Sequence, residues 1–138
     1  MKRLEQEDYL AMRAGACILE ADGFGEKVLQ LADGTMLKLF RRKRFFSSAA
    51  WYPYAQRFAD NAEALRRRRI PAPAVIDVWR IPAIGRDGVH YHPLAGQTLR
   101  EMRARGIDAA SERAMKMAFT RFVISLHECG VYFRSLHL

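Results

Sequence analysis

The sequence predicts an α+β fold: a small antiparallel sheet through the first two thirds of the chain, with helices after it. Three observations carry this. Residues 16–40 alternate apolar and polar character around two turn signals, GFGE at 23–26 and Asp33-Gly34. A helical stretch at 45–69 is stopped by the paired prolines of IPAP at 70–73, and strand-like runs follow it. In the last third, Met115, Ala118, Phe119, Phe122, Val123 and Leu126 repeat at the spacing of one helix face.

Each element has a local reason. Residues 5–14 can form a short helix, and ACILEAD at 16–22 reads as a strand. KVLQLADG at 27–34 closes on the Asp33-Gly34 hairpin signal, and TMLKLF at 35–40 is the returning strand. A helix over 47–69 is expected, with Ser47 or Ser48 as its cap and Pro53 at a first turn or break. Within it Phe58, Ala62 and Leu65 share a face. A strand then runs through Val75, Ile76, Val78 and Trp79, and another begins at Gly88. Thr98 and Glu101 form a capping-box pair for a short helix, Ser111 is expected to cap the long one, and Gly130 ends it. This order divides the chain into 1–92, a sheet-bearing lobe, and 93–138, the start of a helical lobe.

Composition narrows the function classes. The chain has 138 residues, half of them apolar and 28% charged, which suits a folded domain and excludes disorder. Two cysteines far apart, Cys17 and Cys129, make neither a disulfide framework nor a metal cluster. MKRLEQEDYL lacks the apolar core of a signal peptide, and no apolar run approaches the ~20 residues of a membrane span. A cytoplasmic protein is expected. The net charge of +8 is clustered at residues 41–44 and 66–69, and attracts anions: nucleic acid, acidic lipid or phosphorylated sugar.

The order of elements, with KVLQLADGTMLKLFRRKR (27–44), IPAP (70–73), YHPLAGQTL (91–99) and LHECGVYFRSLHL (126–138), resembles the first half of a protein-kinase-like fold. The finer resemblance is to the lipopolysaccharide-core sugar kinases, which phosphorylate heptose or Kdo, and within them to the pseudomonad kinase-like proteins named for toluene tolerance. It covers nearly the whole chain and rests on motif order more than on any one motif. It implies a small antiparallel lobe with one helix, then the first helices of a large lobe, with ATP and magnesium as cofactors and a sugar hydroxyl as acceptor.

The resemblance assigns roles residue by residue. Lys38, between Leu37 and Leu39, stands where kinase-like folds hold the α- and β-phosphates; an outward lysine on a half-exposed strand is the plain alternative. Gly23 and Gly25 stand for a glycine-rich loop whose amides approach phosphates, and an ordinary hairpin turn explains them equally well. Asp60 and Glu63, one helical turn apart, are the acids that would pair with Lys38, Glu63 being favoured; both can instead pair with Arg66 or Arg67. Backbone groups at His90, Tyr91 and His92 would meet an adenine ring. No third ligand joins the two histidines at metal-binding spacing, so no metal site is expected there.

The family's catalytic loop reads approximately H-x-D-L-x-x-x-N. Aligned on Gly130-Val131, Phe133 falls at the histidine, Arg134 keeps the arginine, and Ser135 falls at the catalytic aspartate. A serine hydroxyl is not ionised near neutral pH and cannot replace a carboxylate base. His137, two residues on, can take a proton near pH 7, or it can simply pack. The asparagine and the D-F-G-type aspartate that bind magnesium have no counterpart, as if the sequence were cut within the catalytic loop. The reading is a kinase-like protein, catalytically degenerate and inactive as this chain. That leading reading has it bind a nucleotide and an anionic sugar-lipid at the inner face of the cytoplasmic membrane; a basic pseudokinase module docking on an anionic membrane or an acidic partner is the alternative. A nucleic-acid binder, argued from charge alone, is weaker. Uncovered lobe faces lead to an expectation of self-association.

Overall fold

The computed structural model describes residues 1–42 and 52–132. The expected caps Ser47 and Ser48, and the loop residues Arg134, Ser135 and His137, lie outside the described residues. The fold is α+β, and the chain divides into two compact units, Met1–Leu94 and Ala95–Leu138.

The first unit is built on a six-stranded sheet. Its strands are β1 (Lys2–Arg3), β2 (Cys17–Asp22), β3 (Gly25–Gln30), β4 (Met36–Arg41), β5 (Ala74–Ile81) and β6 (Arg86–His92), in the spatial order β1-β5-β6-β4-β3-β2. Every neighbouring pair is antiparallel except β1 with β5. Helix α1 (Gln6–Arg13) lies between β1 and β2 in the chain, and α2 (Tyr54–Arg67) between β4 and β5.

Alternation along the strands gives the sheet two faces. On one, Leu29, Leu37, Leu39 and Ile81 join Leu4, Leu31 and Tyr9 of α1 in the buried core, with Met12, Ala16 and Trp79 packed against it. Burying each of these leucines contributes about 1.5–3 kcal/mol. The opposite face receives α2, whose Ala55 and Ala62 are buried and whose Phe58 ring meets Phe40 and Tyr91 at centroid separations of 6.2 and 5.4 Å. The apolar face expected from Phe58 and Ala62 is therefore the one that packs.

One boundary differs from the sequence expectation. Tyr52 and Pro53 are not helical, and Pro53 is the N-cap of α2, so the described helix begins at Tyr54 and not at 47. Proline's ring clashes with a preceding helical turn, so it suits a helix start and not an interior. At the other end α2 closes at Arg67, with Arg68 and Arg69 beyond it.

The second unit holds α3 (Leu99–Ala104) and α4 (Ala109–Glu128). The capping box at α3 forms as expected: Thr98 Oγ1 accepts the Glu101 N–H at 3.1 Å, and Glu101 accepts the Thr98 N–H at 2.8 Å. The cap of α4 is Asp108, not Ser111. Its carboxylate accepts the N–H groups of Ala110 and Ser111, each at 2.9 Å, while the Ser111 hydroxyl donates to it at 2.6 Å. Both residue types cap well, and the two alanines between them extend the helix backwards to the aspartate. Along α4, Leu126 is buried and Met115, Phe119 and Val123 are half-buried, but Ala118 and Phe122 are exposed, so the covered stripe is narrower than the periodicity implied. Gly130, at φ +73°, follows the helix in the left-handed conformation expected of it.

Candidate functional site

The sheet face that receives α2 carries the candidate site. Lys38 lies in β4 between Leu37 and Leu39, which turn into the core, so alternation sends Lys38 to the opposite face. Strand register sets it in a row across five strands: Glu20, Val28, Lys38, Val89 and Val78. The next row is Gln30, Met36, Tyr91 and Val75. Helix α2 packs mainly on β5 and β6, with a smaller contact to β4. Beyond it Val28 and Met36 stay half-buried and Glu20 exposed, leaving an apolar floor beside the lysine.

Lys38 makes no hydrogen bond or ion pair among the described residues. Its ammonium lies 5.7 Å from the centre of the Phe58 ring and 5.9 Å from that of Phe40, a cation–π cradle. Neither expected acid meets it. Glu63 accepts from Arg66 at 2.8 and 2.9 Å and from Arg67 at 3.0 Å, and hydrogen bonds from Arg66, then Arg67, hold its carboxyl down to about 2. Asp60 accepts from Tyr52 and, at 2.9 Å, from Gln56, and these bonds lower its pKa. Where α2 faces Lys38 it presents Phe58, not a carboxylate.

The glycine turn is a tight hairpin. Gly23 and Phe24 form the bend between β2 and β3, and the Phe24 N–H is taken by Asp22 Oδ1 at 2.9 Å. Gly25, at φ +108°, needs its glycine; a side chain at Gly23 would meet nothing within 4 Å. Two arginines fix the tip. The Arg86 guanidinium donates to the carbonyls of Phe24 and Glu26, and that of Arg41 stacks 3.7 Å from the centre of the Phe24 ring. Sequence reasoning missed both, because Arg86 sits 60 residues from Glu26 and only the sheet brings it there.

The three residues expected near an adenine ring divide between the faces. Tyr91 shares the face of Lys38, and burial raises its phenol pKa. His92 is exposed at the end of β6. His90 turns to the core side, where Nε2 lies 2.8 Å from Thr35 Oγ1. That hydroxyl donates its only proton to Asp33 Oδ1 at 2.6 Å, so Nε2 must be the protonated nitrogen of His90. Burial lowers the His90 pKa, outweighing the attraction of Asp33. This network ties the β3–β4 turn to β6. The Asp-Gly-Thr run carried a signal for its first half, since Asp33 also accepts the Thr35 N–H at 2.9 Å in a side-chain-closed turn.

Among the described residues no group of three or more His, Cys, Asp or Glu could hold a metal ion, and no helix is long and apolar enough to cross a membrane. No protein-family model, curated protein or solved structure matches the chain.

Proposed function

We propose that the chain is a kinase-like nucleotide-binding protein related to the lipopolysaccharide-core sugar kinases and catalytically degenerate. The observation that carries this is Lys38. It stands on the third strand of an antiparallel meander, makes no ion pair with an acid among the described residues, and lies beside the half-buried apolar side chains of Val28 and Met36, bordered by the helix that follows. An ammonium so placed can hold a polyphosphate, while Val28, Met36 and Tyr91 offer an apolar surface to a purine. Magnesium, when bound in kinases, neutralises phosphate charge; the asparagine and aspartate that would hold it have no counterpart in this sequence. Degeneracy rests on Ser135 at the catalytic aspartate position.

A second reading, a basic interaction module, is favoured by one observation: Glu63 is engaged by its own helix's arginines, so the acid–lysine pair of an active kinase is not assembled. A photoreactive ATP analogue separates the two. Labelling of peptides from β3, β4 or β6, suppressed by excess ATP, supports the nucleotide reading. Labelling that ATP does not suppress leaves only the interaction module.

A further inference from the structure

The four described helices share one ending. Beyond the C-cap of each stands a residue in the left-handed conformation: Gly15 (φ +71°) after α1, Gly106 (φ +77°) after α3, Gly130 (φ +73°) after α4, and Arg69 (φ +58°) after α2. Three are glycines, for which this backbone carries no steric penalty. Arg69 is the only non-glycine residue with positive φ among the described residues. Its Cβ is crowded against the backbone, a cost the other three helix ends avoid.

The conformation is imposed from outside the side chain. The Arg69 N–H donates to the Arg66 carbonyl at 2.9 Å, and the Ile70 N–H to that of Leu65 at 3.0 Å, which together form a Schellman closure. Ile70 is buried, and the IPAP step follows. Whatever residue occupies position 69 must turn left-handed, and glycine is the unstrained choice. Favourable charge at the helix C-terminus accounts for Arg66 and Arg67 in the last turn. It does not account for a strained residue one step past the cap.

The neighbouring side chains separate Arg69 from the rest of the run. Arg66 and Arg67 donate to Glu63, and Arg68 donates to the Ala64 carbonyl at 3.0 Å. Arg69 is exposed, and its side chain makes no hydrogen bond or ion pair among the described residues. Of the four guanidinium groups, two share the one carboxylate of Glu63 and two have no acidic partner among the described residues. Arg66 and Arg67 remain 73% and 75% exposed even while paired. Arg66 and Arg67 close the last turn of α2 and Arg68 and Arg69 lie beyond it, so four cations gather at one exposed helix end. A spread of exposed cations matches a plane of phosphates, and the net charge of +8 adds attraction at longer range.

We propose that the Arg66–Arg69 corner of α2 docks on the headgroup phosphates of an anionic bilayer, and that Arg69 is held in an unfavourable backbone conformation because docking needs a cation there. This does not depend on nucleotide binding at Lys38.

The test compares the full chain with Arg69→Gly, Arg69→Lys and, as a charge-matched control elsewhere, Arg121→Gln. Vesicles containing phosphatidylserine are set against vesicles of phosphatidylcholine alone, at low and high salt. Arg69→Gly should raise Tm by about 2–4 °C through relief of strain, and weaken binding to the anionic vesicles about fivefold. Arg69→Lys should keep most of the affinity without the gain in Tm, and Arg121→Gln should change affinity less than twofold. Wild-type binding that is absent, or insensitive to salt, overturns the proposal. So does an Arg69→Gly chain that binds like wild type or shows no rise in Tm. Duplex DNA binding that follows position 69 without vesicle binding overturns the choice of partner. Repeating the comparison in Lys38→Ala chains keeps this result separate from the nucleotide site.

Discussion

Gly88 leaves the space in which side chains of β4 and β5 meet over β6. It lies in β6 opposite Leu39 of β4 and Trp79 of β5. A Cβ there would fall 3.2 Å from Ile81 Cδ1, 3.2 Å from Leu37 Cδ1 and 3.5 Å from Leu39 Cδ2. Leu37 and Ile81 are fully buried, so their methyl groups have little room to retreat. Gly88→Ala should therefore overpack the core, at a cost of about 1–3 kcal/mol. Replacing a strand glycine returns roughly 0.5–1 kcal/mol by reducing the freedom of the unfolded chain. The net expectation is a loss of about 1 kcal/mol. Urea unfolding followed by circular dichroism reads it as a lower midpoint at unchanged slope. An unchanged or higher midpoint would mean that Leu37 and Ile81 can move aside, and that the close packing beneath β4 is not what holds Lys38 in register.

Other expectations follow from single contacts. Asp108→Ala should cost about 1 kcal/mol by removing the cap of α4, and Ser111→Ala clearly less; the reverse order would restore serine as the cap. NMR titration should find the His90 pKa below 6.5, because burial disfavours its charged form. The unfolded chain then binds the proton more readily, so this histidine's contribution to stability falls as pH drops below 6.5, and a pKa above 6.5 would refute the burial argument. Arg86→Met should speed hydrogen exchange across the β2–β3 hairpin, since Arg86 bonds two of its carbonyls; unchanged protection would show that the turn holds without it.

Local chemistry made much of the fold legible. The Asp33-Gly34 turn, the Thr98 capping box and the alternation that aims Leu37 and Leu39 inward all act within a few residues, where side-chain and backbone rules operate. The site was less legible, for two physical reasons. Helical spacing puts Asp60 and Glu63 within reach of Arg66 and Arg67 as readily as of Lys38, and only the packing of Phe58 against Phe40 and Tyr91 decides which residue of α2 meets the lysine. The arginines at the hairpin tip, and the link from Thr35 to His90, join residues far apart in sequence, and the sheet register brings them together. Arg69 illustrates the converse: its residue type reads as one more surface charge, and only its φ reveals strain.

The central claim is that Lys38 and the open sheet face beside it bind a nucleoside triphosphate. Its most direct test is the thermal stability of the wild-type chain and of Lys38→Ala against increasing ATP, with and without magnesium. At a ligand concentration ten times Kd the bound form gains about 1.4 kcal/mol, and Tm rises by several degrees. The account predicts that rise in the wild type and its loss in a Lys38→Ala chain with an unchanged circular dichroism spectrum. Equal shifts in both proteins, or no shift in the wild type at millimolar ATP, would contradict it.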